Sequence, residues 1–192
     1  MRRFHLKWLC FGMVCCYSAR MKRSGLISLK APEEIIWNTL ISEIFFLDAT
    51  VLDRDRITKD KTDILSIKSQ IEDIIAAGKE SFLSEKRNSL SVKYLLVEAV
   101  EAITDSCQHI LAKTKGIACE GYVDCIVKAG ENSIITSPLA NKLRRLADLR
   151  NSLIHRYWII NDEELFIVCK ENINDLKDFV SQIDDFTAKL TE

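Results

Sequence analysis

Glycine and proline are scarce in this chain, six and two among 192 residues. An all-β sandwich needs turn-forming residues at every reversal, so the scarcity moves the expectation towards helices. A membrane-spanning run is also missing. The apolar stretch Trp8 to Ala19 is 12 residues long, whereas a bilayer-spanning helix requires about 20. No repeat of about 20–50 residues is present, which excludes a solenoid. Seven cysteines occur (Cys10, Cys15, Cys16, Cys107, Cys119, Cys125 and Cys169) without a C-x-x-C pair, so a zinc site is not expected and reduced thiols in a cytoplasmic protein are. What remains is ordinary: 47% hydrophobic and 29% charged residues, the composition of one globular domain with a tail.

The formal net charge of −1 hides an asymmetry. Residues 1–30 hold Arg2, Arg3, Lys7, Arg20, Lys22, Arg23 and Lys30 and no acidic side chain, which leaves 20 basic against 28 acidic residues beyond them. The chain is a cationic head on an acidic body. Phosphate backbones are bound chiefly by Lys and Arg, so such a body is a poor generic nucleic-acid binder and RNA chemistry needs a local basic site. Three readings of the head stay open: an extension outside the native chain, with initiation at Met21 or later, a membrane-associating segment, and a cleaved signal peptide. Residues 31–62 read as a linker with one helix, from Pro32 to about Asp48, followed by the sign-alternating charged run Asp53–Asp63.

From residue 63 the periodicity is helical. Ile64, Ile67, Ile71, Ile74 and Ile75 mark a first helix that fades near Gly78, and Val92, Leu95, Leu96, Ala99, Ile103, Cys107, Ile110 and Leu111 mark a second, from about Asn88 to Lys113, ended by Gly116. A short third helix spans Tyr122–Ala129 and closes at Gly130. Ser137 as cap with Pro138 behind it starts a fourth, which runs to His155 or Tyr157. After a turn at Asn161–Asp162 and a short apolar run, Leu165–Val168, a fifth is marked by Ile173, Leu176, Val180, Ile183 and Leu190. The expected fold is all-α, an up-and-down bundle of about five helices over residues 63–192.

The fourth helix is unusual. Its apolar stripe is Leu139, Leu143, Leu146, Ala147, Leu153 and Ile154, and Arg150 and Tyr157 project into the middle of it. A guanidinium on an apolar face costs several kcal/mol unless paired, so Arg150 requires a carboxylate, a phosphate or a partner subunit. Arg144, Asp148, Asn151 and His155 share one flank. A structural account fits this set: an Arg–carboxylate pair, a helix-end histidine favoured by the macrodipole, and a packed tyrosine. So does metal-independent phosphodiester cleavage, in which His155 moves a proton to or from a ribose 2′-hydroxyl or the leaving oxygen and Arg150 holds the phosphate. One histidine supplies half of an acid/base pair, and a two-fold dimer would supply the other half.

The string Arg150-Asn151-Ser152-Leu153-Ile154-His155-Arg156-Tyr157 resembles the R-x4-H-x-Y motif of the HepT-like toxins, members of the HEPN superfamily of helical ribonucleases. The likeness extends in order over about residues 63–190, with Tyr94–Leu111 similar to the family's second helix. On that helix Glu101, Asp105 and His109 are spaced four apart, opposite its apolar side. Periodicity alone makes them a solvated face. The resemblance implies that they face the motif, with Asp105 or Glu101 pairing with Arg150. It also implies a dimeric HEPN-like domain acting as the ribonuclease toxin of a toxin–antitoxin pair, on messenger or transfer RNA. Arg150 and His155 are then catalytic, Asn151, Asp105 and Glu101 supporting. The implied partner is a minimal nucleotidyltransferase antitoxin that attaches AMP to Tyr157, so AMP is a modification and no cofactor or metal is expected. A bulky anion beside Arg150 and His155 would block phosphate entry. A cluster of Arg144, Arg145, Arg150 and Arg156, doubled in a dimer, would offset the acidic body. The competing reading is a non-catalytic HEPN-like binding module that docks the nucleotidyltransferase or a nucleotide. No membrane partner is expected in either case.

Overall fold

The computed structural model describes residues 52–156 and 160–190. The readings of residues 1–51 and of Tyr157 lie outside them. Among the described residues there are seven helices: α1 (Arg54–Ala76), α2 (Lys79–Ser84), α3 (Lys86–Lys115), α4 (Tyr122–Glu131), α5 (Ser137–His155), α6 (Asp162–Asn172) and α7 (Asn174–Lys189). Four long helices, α1, α3, α5 and α7, alternate with three shorter ones.

The first helix begins at Arg54, inside the charged run that read as linker. Asp53 caps it by accepting the Arg56 N–H at 3.1 Å. Alternating charges hid the register, because the first core contact, Ile57, stands a full two turns before the next buried isoleucine, Ile64. Between them Asp60 is buried and accepts the Ser106 hydroxyl of α3 at 3.0 Å. Burial pushes the Asp60 carboxyl above its ordinary range and the Ser106 bond partly offsets it.

α3 is the central post, burying Val92, Ala99, Val100, Ile103, Cys107, Ile110 and Leu111 completely. It ends as expected at Gly116, whose φ of 66° gives the left-handed cap that favours glycine. Gly130 does not end α4. The helix continues to Glu131, and the reversal falls at Ser133, φ 58°. Gly130 serves packing instead, because a Cβ there would lie 2.7 Å from the Ala140 Cβ of α5. Ser137 is the first residue of α5 rather than its cap. Thr136 stands at the cap without a side-chain bond, and its backbone N–H donates to Gln182 Oε1 of α7 at 2.7 Å.

Two helices escaped the periodicity. α2 is short and inserts Phe82, fully buried, against Phe166 with ring centroids 5.3 Å apart. The run Leu165–Val168 belongs to α6, where Asn161 caps by accepting the Glu163 N–H at 2.8 Å. Three acidic residues in the first turn of α6 suit the positive end of its dipole. Lys79–Glu163 (3.1 Å) and Lys93–Asp162 (2.6 Å) tie that end to α2 and α3. α7 closes the core with Leu176, Phe179, Val180 and Ile183, and ion pairs Lys61–Asp184 and Lys142–Asp175 join it to α1 and α5. Cys107, Cys125 and Cys169 are free and buried, and Cys119 is half-buried. No helix among the described residues is long and apolar enough to cross a membrane.

Candidate active site

The stripe of α5 is buried at Leu139, Leu143, Ala147 and Leu153. Ile154, expected to share it, is 48% exposed, although Leu153 beside it is buried. Arg150 enters the stripe as expected, its side chain 14% exposed. Its requirement for a partner is met by Glu101 of α3, whose Oε1 accepts from Arg150 Nη2 at 2.6 Å.

A third residue completes this contact, one that the sequence marks only as a helix start. Tyr122, the first residue of α4, accepts from Arg150 Nη2 at 2.9 Å and donates its hydroxyl to Glu101 Oε1 at 2.7 Å. The Arg150 guanidinium carbon also lies 4.1 Å from the centroid of the Tyr122 ring, within cation–π range. The carboxylate that accepts its proton holds the Tyr122 phenol above its usual titration range. A lone aromatic residue after Gly121 carries no periodic signal. Only the meeting of α3, α4 and α5 shows its neighbours.

The other two members of the expected face go elsewhere. Asp105 does not reach Arg150. It is exposed and stands 3.7 Å from Arg56 of α1. His109 is buried rather than solvated, and its Nε2 accepts the Asp53 backbone N–H at 2.9 Å. Burial is the main cause that pushes its titration below the ordinary histidine range, and the charge of Arg56 adds to it. His109 alone of the three is covered, because α1 and its cap Asp53 extend before position 63 and close over that end of α3.

Between α1 and α3 lies an open cavity of about 530 Å³ lined by Asp60, Asp63, Glu98, Glu101 and Asp105, with Lys59. Glu101 thus belongs both to this acidic groove and to the Arg150 contact. The opposite character appears along α5, where Arg144, Arg145, His155 and Arg156 are exposed and Asn151 is half-buried. A phosphate is repelled from the α1–α3 side of Arg150 and attracted from the α5 end. Among the described residues no group of three or more His, Cys, Asp or Glu side chains is arranged to hold a metal ion.

A family model described as Ribonuclease HepT-like matches residues 64–183. The chain belongs to the HepT-like ribonuclease family. The matched span runs from α1 into α7 and contains Arg150, Asn151, His155 and Tyr157. The tRNA nuclease HepT of Aphanizomenon flos-aquae (strain 2012/KM1/D3) is 26% identical over 113 residues, 59% of this chain and 77% of that one. The mRNA nuclease HepT of Shewanella oneidensis is 27% identical over 93 residues, covering 48% and 70%. Among solved structures, the tri-AMPylated Shewanella oneidensis HEPN toxin in complex with its MNT antitoxin superposes with a TM-score of 0.64 at 24% identity, over 68% of this chain and 98% of that one. That likeness establishes the HEPN fold for the helical unit.

Proposed function

We propose that this HepT-like chain is a toxin that cleaves RNA without a metal ion and is neutralised by AMPylation of Tyr157. The observation that carries the reading is the arrangement at the end of α5: an oriented Arg150 guanidinium five residues before an exposed His155 imidazole, inside a HepT-like domain. A neutral imidazole nitrogen accepts a proton, so His155 can remove the proton of a ribose 2′-hydroxyl. The freed oxygen attacks the adjacent phosphorus, the bond to the 5′-oxygen breaks, and that oxygen leaves with a proton from a second imidazole. A homodimer supplies the second imidazole as the His155 of another copy. Arg150 balances the charge that builds on the phosphoryl oxygens, and Asn151 positions the same phosphate.

The partner follows from the same site. A nucleotidyltransferase that moves AMP from ATP to the Tyr157 oxygen, releasing pyrophosphate, installs an anion two residues beyond His155. That anion satisfies the cations which RNA would otherwise engage. The Shewanella toxin is AMPylated and bound to such an antitoxin, and curated relatives act on tRNA and mRNA. The proposed substrate is therefore RNA of either kind, and the proposed setting is the cytoplasm. The alternative, a non-catalytic module that docks the nucleotidyltransferase or a nucleotide, is favoured by one observation: Glu101 already occupies Arg150.

Purified full-length chain incubated with tRNA and mRNA decides between them. Cleavage is expected to fall by about 100-fold or more in His155→Ala and comparably in Arg150→Ala, and to stop on treatment with the antitoxin and ATP in a Tyr157-dependent manner. Equal, background-level products from wild type and both variants would leave only the binding module.

A further inference from the structure

Arg150 has five N–H donors, one on Nε and two on each Nη. Nη2 is engaged twice, by Glu101 and Tyr122. Nε is buried without a partner. A substrate phosphate therefore meets Nη1 first, and the direction in which Nη1 points is set by whatever holds the opposite edge of the guanidinium. Glu101 alone would fix one hydrogen bond and leave the plane free to rotate about it. Tyr122 fixes the plane, because its ring lies under the guanidinium carbon at 4.1 Å while its hydroxyl accepts from Nη2.

We propose that Tyr122 is a positioning residue of the nuclease centre, holding the Arg150 guanidinium by ring and hydroxyl together so that Nη1 faces the scissile phosphate. This rests on the reading of Arg150 as the phosphate clamp. Tyr122 suits the task better than a second carboxylate because it adds direction without competing with phosphate for the positive charge. Its hydroxyl orientation is determined as well, since the proton is given to Glu101 and the lone pair is left for Arg150. The backbone that carries Tyr122 is itself stapled. The Glu120 N–H donates to Asp124 Oδ2 at 2.9 Å, and Lys128 Nζ bridges that carboxylate at 2.7 Å and the Ala118 carbonyl at 3.0 Å. The turn before α4 is thus tied to the helix on both sides of Tyr122.

The test is steady-state RNA cleavage by the full chain carrying Tyr122→Phe, Tyr122→Leu, Arg150→Ala or Arg150→Lys, and Tyr122→Phe combined with Arg150→Lys. Hydrogen bonds to a charged group are worth about 1.5–3 kcal/mol. Tyr122→Phe should therefore lower kcat by about ten-fold or more, with KM changed less than about two-fold and the pH profile unmoved. Tyr122→Leu, which also loses the ring, should lose more. In the Arg150→Lys background Tyr122→Phe should change kcat by less than about two-fold, because the guanidinium it orients is gone. Independently of turnover, the Arg150 Nη resonances should broaden and shift in Tyr122→Phe, while its melting temperature shows that the variant is folded.

Wild-type kcat in Tyr122→Phe, or an equal loss with and without the guanidinium, overturns this inference while leaving the clamp intact. Wild-type cleavage by Arg150→Ala overturns the clamp itself. Unchanged Arg150 resonances in Tyr122→Phe overturn the orienting contact directly.

Discussion

Replacing Gly130 by alanine sets two effects of known size against each other. Alanine is favoured over glycine inside a helix by about 1 kcal/mol, and less than that here, because Gly130 is the last residue but one of α4. Its φ is not positive, so no backbone strain opposes the change. Packing does. The new Cβ would stand 2.7 Å from the Ala140 Cβ, whereas carbon atoms rest about 3.5–4.0 Å apart. Both neighbours are short and rigid, so relief requires α4 and α5 to part by about 1 Å. Overpacking of this kind costs about 1–3 kcal/mol.

The packing cost wins, and Gly130→Ala is expected to destabilise by about 1 kcal/mol. The melting temperature should fall by about 2–4 °C for a chain of this size. Because α4 carries Tyr122 and α5 carries Arg150, RNA cleavage should fall in the same variant. Differential scanning calorimetry on the single variants and the pair resolves the cause. In an Ala140→Gly background the obstacle is absent, so Gly130→Ala should there become neutral or stabilising. A rise in melting temperature for Gly130→Ala in the wild-type background would refute the close approach of the two helices.

His109 should make stability pH-dependent. Its imidazole must be neutral to accept the Asp53 N–H, and its folded-state pKa is depressed. The unfolded chain therefore binds the proton more readily, and stability falls as pH drops through about 6.5, continuing until the lower folded value is passed. Urea unfolding at three pH values across that window should show a shallower slope for His109→Gln, and an unchanged slope would remove His109 as the cause. Burial pushes the Cys107 and Cys169 thiols up to about 12, and raises Cys125 as well. Iodoacetamide at about pH 8, read by peptide mass spectrometry on native chain, should label the half-buried Cys119 first among these four. Labelling of Cys107 at the same rate as Cys119 would show that the α3 core opens far more readily than its burial implies.

Within the helical unit, the legible features were those written in local periodicity. The isoleucine register of α1, the long apolar side of α3 and the left-handed cap at Gly116 follow from steric and hydrophobic rules that act within a few residues. Signals that serve two purposes are not legible in the same way. Gly130 read as a terminator because glycine often is one, yet here it lets two helices touch. The Asp53–Asp63 run read as linker because charge alternation looks solvated, yet one face of it packs Ile57 and buries Asp60.

Sequence alone determined that Arg150 had to find a partner, since a guanidinium inside an apolar stripe cannot be left unpaired. It also placed His155 at the end of that helix, a consequence of helical spacing. Which partner Arg150 found was decided by tertiary structure. Glu101 and Asp105 are one turn apart on α3 and both carry a carboxylate, but only Glu101 comes within 2.6 Å of Arg150, while Asp105 is turned towards Arg56 of α1. Tyr122 belongs wholly to this second level. Nothing near it in sequence requires a cation, and its role arises because the start of α4 is brought against residues 21 and 28 positions away.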